Sequence, residues 1–243
     1  MLTCFARVAI LGFFLVAGAG TAIAGDLADF NAGAEAAEAH NRVAIGYLRT
    51  GNDDLASVEI DGLRAAWKKL TERFAGKRPD PFDGNSYYVT AMTDIGVRLV
   101  TADMMLNSGR PDSAREALQA IRDDLYKLRQ SAGIVVLADC VRDANTAMSA
   151  LLVYNNSSLD WTKPSTRFGI ASHAAIYDYV LNRCDGLAVE KVRKSPEFRR
   201  LVDGAKAGLA LIPKAIATRD TDLLHRILIE LRSFDNLLAF RFG

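Results

Sequence analysis

The side chains able to do chemistry are few and scattered along the chain. Three histidines occur, at His40, His173 and His225. A neutral imidazole can ligate a metal or haem, or carry a proton near neutral pH. His40 lies on a helical stripe with Ala36, Val43 and Tyr47, which turns it inward as either a ligand or a hydrogen-bonded core residue. His173 opens the helix that follows a polar connection carrying Trp161, where both would border a pocket. His225 follows Asp222 by three residues, a lone Asp-x-x-His. A di-iron bundle needs two Glu-x-x-His pairs and two further glutamates, so this pair is read as a surface contact.

Other chemistries have no constellation to support them. No Gly-x-Ser-x-Gly elbow or phosphate-cradling glycine loop is present. The carboxylates Glu59, Asp61, Asp94, Asp103, Asp139 and Asp143 could meet between helices but are expected in solvent, and Asp139 and Asp143 repel mildly at i,i+4. Met104 and Met105 read as core filling. Lys191, Arg193, Lys194, Arg199 and Arg200 form a basic cluster, either a docking face for an acidic partner or a solvated helix end. Trp161 and Pro164 sit in the polar connection, as a recognition element or as a plug for the end of a bundle. The expectation is a protein that catalyses nothing, holds no resident cofactor, and contacts a ligand, if it has one, through His40, His173 or Trp161.

The first residues carry an address. Arg7 precedes an apolar run from Val8 to Val16, and Ala22-Ile23-Ala24 offers a cleavage site, so residues 1–24 are expected to be a secretory leader cut after Ala24. The apolar run is shorter than the roughly 20 residues a spanning helix needs. Removing Arg7 with the leader leaves basic and acidic side chains equal in number. Such a neutral chain has no electrostatic case for nucleic acid or an anionic membrane surface. Two cysteines then remain, Cys140 and Cys184, either bridged in an oxidising compartment or buried as free thiols. A periplasmic or secreted location follows, with no stable membrane span.

The elements that must position these residues are helices. Ala56, Ile60, Leu63, Trp67, Leu70 and Phe74 step by four and three, as do Ala114, Leu118, Ile121, Leu125 and Leu128, and again Leu224, Ile227, Leu231, Phe234 and Leu238. Each stripe is preceded by the same punctuation. "YLRTGNDDLASVEIDGL" aligns with "MLNSGRPDSAREALQAI", pairing Leu48 with Leu106, Gly51 with Gly109 and Ile60 with Leu118, and "IATRDTDLLHRILIEL" is a weaker third copy with Arg219 at the glycine position. The glycine suits a left-handed helix stop, Asp53, Asp112 or Asp220 suits the next N-cap, and Pro111 suits a first turn. Such short connections force antiparallel neighbours. The sequence thus predicts one all-α antiparallel bundle over 25–243. Breaks are expected at 76–86 and 155–167, with Pro213 splitting a helix over 195–218 and possible sub-bundles at 25–155 and 165–243.

The last fifty residues carry one resemblance. Ser195-Pro196-Glu197 opening a helix, Gly204 within it, and a final helix ending in aromatics and Arg241 resemble the closing helix pair of the cytochrome c-prime and soluble b-type four-helix cytochromes. The resemblance implies a four-helix architecture. Those families hold haem on the final helix, whereas Glu230 to Gly243 contain no Cys, His or Met. The favoured expectation is an exported, non-catalytic bundle that binds an envelope protein or small molecule. The alternative is a haem or metal carrier with relocated ligands, in electron transfer or sensing.

Overall fold

The structure, a computed structural model, describes residues 20–155 and 159–243. The expected leader at 1–24 lies outside these residues except for 20–24, which open the first helix. The described residues are all-α, with no strand. The helices are α1 (Gly20–Arg49), α2 (Asp53–Arg73), α3 (Ser86–Asn107), α4 (Pro111–Ser131), α5 (Leu137–Leu151), α6 (Pro164–Leu187), α7 (Glu190–Arg193), α8 (Pro196–Leu209), α9 (Ile212–Thr218) and α10 (Thr221–Phe242). Pro213 sits in the first turn of α9 and divides the expected seventh helix there.

One backbone device makes the hairpin corners. Gly51 and Gly109 adopt φ of 71° and 70°, and Arg219 takes the same left-handed conformation at 55°. In each case the amide of the following residue reaches back to a carbonyl of the finished helix: Asn52 to Tyr47 at 3.0 Å, Arg110 to Met105 at 2.9 Å, Asp220 to Ala215 at 3.0 Å. This is the Schellman closure, and it satisfies carbonyls that the helix end would otherwise orphan. Gly133 ends α4 in the same way, with Ile134 bonding to Arg129 at 2.9 Å. The expected caps hold only in the third copy, where the Asp220 carboxylate accepts the Leu223 amide at 2.8 Å. Asp53 and Asp112 lie one and two steps too far along, inside the first turn, because Asn52 and Arg110 occupy the cap positions.

Burial then sorts the helices into two closed rings. In the first, hairpins α1–α2 and α3–α4 pack together through α2–α3 and α1–α4. Its core runs from Phe30 through Ile60, Trp67 and Ile95 to Leu118 and Leu128. In the second ring α5 packs on α6 and α10, while α8 and α9 fill the space between α6 and α10. Val141, Met148, Tyr177, Leu181, Phe198 and Leu231 lie at its centre. The core therefore divides between α4 and α5, one helix earlier than the expected division at 155–167. The apolar face of α5 makes the difference, because Cys140, Val141, Ala144, Met148 and Leu151 all turn toward α6 and α10. Cys140 and Cys184 are disulfide-bonded, Cα to Cα 5.4 Å, and fasten α5 to α6.

Two glycines permit close helix approach. A Cβ at Gly204 would come within 2.6 Å of the Phe234 ring, so a larger residue there would displace that ring and loosen α8 against α10. A Cβ at Gly46 would come within 3.0 Å of Phe240, which brings α10 of the second ring onto α1 of the first. That second contact is what places side chains of both rings around one cavity.

Candidate functional site

The expected site residues do not converge. His40 is half-exposed, and its Nδ1 lies 2.7 Å from Glu59 of α2. The buried stripe of α1 is Ala34, Ala37, Asn41, Ala44 and Leu48, which leaves the Ala36 and His40 side rotated outward. His173 turns onto its own helix, Nδ1 2.8 Å from the Gly169 carbonyl, with its ring 5.6 Å from that of Tyr154. Trp161 is buried and donates from Nε1 to Thr221 Oγ1 at 2.8 Å, sealing the end of the second ring. His225 contacts Asn155 rather than Asp222. In the basic cluster Lys194 pairs with Glu190, and Arg199 pairs with Asp185 and Asp203, so much of its charge is cancelled locally. Lys191, Arg193 and Arg200 stay in solvent. Met104 is half-exposed rather than core filling.

The chemically unusual place lies between the rings. A cavity of about 490 Å³ is bordered by Arg42 and Arg49 of α1, Arg122 of α4, Arg142 of α5 and Arg232 of α10. Asp123 is the one carboxylate on its wall, and Gln119, Asn145 and Asn236 add amides. Five guanidinium groups around one carboxylate is a large local surplus in a chain whose charges otherwise balance.

Three of these arginines are held in place. Arg42 is almost fully buried, donating to Glu35 at 2.7 Å and to the Gly243 carbonyl at 2.9 Å. Arg142 pairs with Asp123 and stacks over Tyr126, 4.5 Å from the ring centroid. Arg232 reaches Asp235 at 3.3 Å and Ser149 Oγ at 3.4 Å. Arg49 and Arg122 make no hydrogen bond or ion pair with any described residue. Arg49 is exposed and keeps its water. Arg122 is partly buried, and its pKa is pushed down by burial first; Glu38 and Asp123 oppose this, while Arg42 and Arg142 add to it. A guanidinium remains charged under all ordinary conditions. The penalty is therefore carried as an incompletely compensated charge, which a bound anion would relieve.

Two buried polar groups back this wall. Arg129 of α4 donates to Asp139 of α5 at 2.6–3.0 Å and to Glu38 of α1 at 3.2–3.3 Å, with all three side chains nearly inaccessible. Asp139, expected in solvent, is thus a buried partner, and its carboxyl pKa is raised chiefly by burial. The triad joins both rings through charge. The second group is Asp235 of α10, fully buried, which accepts from Asn145 at 2.7 Å and from Tyr177 at 3.5 Å. Burial lifts the Asp235 carboxyl to about 6, against the pull of Arg232, Asn145 and Tyr177.

That elevation has a defined effect on stability. An unfolded aspartate titrates near 3.9, so between about pH 4 and 6 the folded chain holds a proton at Asp235 that the unfolded chain has released. The folded state is then favoured at the acid end, and the contribution is lost as pH rises through about 6. The difference amounts to about 2–3 kcal/mol. Urea midpoints measured from pH 4 to 7.5 are expected to fall less steeply with pH in Asp235→Asn than in the natural protein. Parallel profiles would contradict the assignment.

The arginine cavity was not visible in the sequence as a cluster. One signal for its backing was present: Asp235 lies on the final apolar stripe, four residues after Leu231 and three before Leu238, where a carboxylate needs a partner. Glu38 and Asn41 interrupt the buried stripe of α1 in the same manner. Among the described residues no group of three or more His, Cys, Asp or Glu side chains is placed to hold a metal ion. No protein-family model, curated protein or solved structure matches the chain.

Proposed function

We propose that the protein is a non-catalytic binding protein whose ligand is a small, multiply charged anion held by the arginines between the two helical rings. The observation that carries this reading is Arg122, partly buried, ion-paired with no carboxylate, and facing a cavity it shares with four other arginines. Drawing a cation partly out of water without a direct partner weakens the empty fold, and an arriving anion relieves that cost. Guanidinium groups present fixed pairs of donors that match carboxylate and phosphate oxygens, and the flanking amides of Asn145 and Asn236 can orient a bound group. A volume of about 490 Å³ falls within the roughly 300–1,000 Å³ range of small-molecule sites. Export is part of the same reading: the leader-like start and the Cys140–Cys184 bridge both suit an oxidising compartment.

The test is thermal unfolding with phosphate or sulfate against chloride at matched ionic strength. A ligand at about one hundred times its dissociation constant stabilises by about 2.7 kcal/mol, several degrees in Tm for a chain of this size. Arg122→Gln is expected to unfold at the same temperature as the natural protein or higher without anion, because the removed charge was penalised in the fold. It is also expected to lose the anion-dependent shift. Equal Tm in oxyanion and chloride, or a full shift retained by Arg122→Gln, would contradict the proposal.

A further inference from the structure

Resting on the anion reading above, we infer that Asp235 is an internal competitor for the ligand, so that anion binding is coupled to the uptake of a proton at its carboxyl group. Two of the groups on the cavity wall, Arg232 and Asn145, already spend hydrogen bonds on Asp235, at 3.3 and 2.7 Å. One guanidinium nitrogen and one amide cannot serve a buried carboxylate and an incoming anion equally well. When the ligand draws Arg232 toward itself, Asp235 is left fully buried with less compensation, and the charged form becomes costlier. A proton on the carboxyl removes that cost, turning an acceptor into a donor that needs no cation.

The surroundings of Asp235 restrict where the proton can go. From its own helix it faces Arg232, from α5 the neutral Asn145, and from α6 the phenol of Tyr177. Helix α8, packed on the other side of α10, contributes the apolar Leu201, Ala205 and Leu209 to the shared core. Tyr177 is itself raised above its ordinary range by burial and by Asp235, so it stays a neutral donor. Asp235 titrates at about 6, which places the exchange within reach of mild acidification. Two other carboxylates lie at the cavity, Asp123 on Arg142 and Glu35 on Arg42, but both are half-exposed, and Arg42 keeps the Gly243 main-chain oxygen as another partner. The three acids are therefore separable by mutation.

Linkage fixes the sign. Affinity for the anion should be highest when Asp235 is already protonated and should fall as pH rises through about 6. With one proton involved, the fall is at most tenfold per pH unit. Sulfate is the appropriate probe, because it stays a dianion throughout the range.

The experiment is calorimetric titration of the full chain with sodium sulfate from pH 5 to 7.5 at constant ionic strength, repeated near pH 6.5 in buffers of different ionisation enthalpy. The natural protein is expected to bind about tenfold or more weakly at pH 7.5 than at pH 5, taking up a fraction of a proton. Asp235→Asn should bind at pH 7.5 with nearly the acid-form affinity and show no pH dependence, whereas Glu35→Gln should retain both the dependence and the proton uptake. Should Asp235→Asn not fold, the natural protein and Glu35→Gln still decide the matter through proton uptake. Binding with no proton uptake, or a dependence that survives in Asp235→Asn or vanishes in Glu35→Gln, would overturn this inference and leave the anion site standing. Absence of sulfate binding at every pH would instead overturn the anion site itself.

Discussion

Replacing Arg129 with leucine is expected to destabilise the fold by about 3–5 kcal/mol, a large part of the 5–15 kcal/mol that holds a typical domain together. The guanidinium is nearly inaccessible and serves two carboxylates, Asp139 at 2.6 Å and Glu38 at 3.2 Å. Burial penalises its charge, yet Glu38 and Asp139 more than offset this and raise its pKa above the ordinary guanidinium range. Without it, two anions would remain where water cannot reach, on helices of different rings. The cost would fall on the junction between α1, α4 and α5, which also forms the back of the arginine cavity. A triple replacement, Glu38→Met with Arg129→Leu and Asp139→Leu, separates charge from packing. If the single change is costly because it strands two carboxylates, the triple variant should recover most of the loss, since apolar replacement of a whole buried ion set is often neutral or better. Urea unfolding at pH 7 measures both, and a triple variant as unstable as Arg129→Leu would show that shape, not charge compensation, is at stake.

Removing the Cys140–Cys184 bridge is the second large effect. Its cysteines are 44 residues apart in sequence, and closing a loop of that length constrains the unfolded chain by about 4 kcal/mol in the chain-entropy model. The bridge ties α5 to α6 within the second ring, whose core includes both sulfurs at zero exposure. Cys140→Ser/Cys184→Ser should therefore lose about 2–4 kcal/mol, with the loss centred on the second ring. Hydrogen exchange distinguishes this from a general weakening: amides of α5 and α6 should exchange faster, while those of α2 and α3 keep most of their protection. Uniform loss across both rings would mean that the rings unfold as one unit.

The helical hairpins were legible because their corners depend on local backbone chemistry. Gly51 and Gly109 needed only a positive φ and a neighbour able to start a helix, and both requirements are written within a few residues. Apolar stripes at three- and four-residue spacing located the buried faces of α2, α4 and α10 for the same reason. The buried face of α1 differs from the one its spacing suggests because the stripe is built from alanines and interrupted by Glu38, Asn41 and Arg42. Those polar residues pull the apparent apolar axis toward Ala36 and His40. The cavity itself had no local signature. Its arginines come from four helices, and each taken alone looks like part of a solvated helix face. Only the closure of both rings, and the contact of Phe240 on Gly46, brings them together.

Charge geometry, rather than any motif, points to an anion. Across the chain basic and acidic side chains nearly balance, but locally the wall of one cavity carries five arginines against Asp123. Three of them are held by carboxylates, but Arg42 and Arg142 make the charge on Arg122 harder to hold. Sites that disfavour the empty fold in this way are where function trades against stability.

A crystal of the protein grown or soaked in sodium selenate, with data collected at the selenium edge, examines the anion site most directly. An anomalous peak is expected between Arg122, Arg142 and Arg232, within hydrogen-bonding distance of at least two guanidinium groups, and should disappear in Arg122→Gln. A cavity holding only water at selenate concentrations that fill other cationic surfaces, or a peak undiminished in Arg122→Gln, would contradict the anion site.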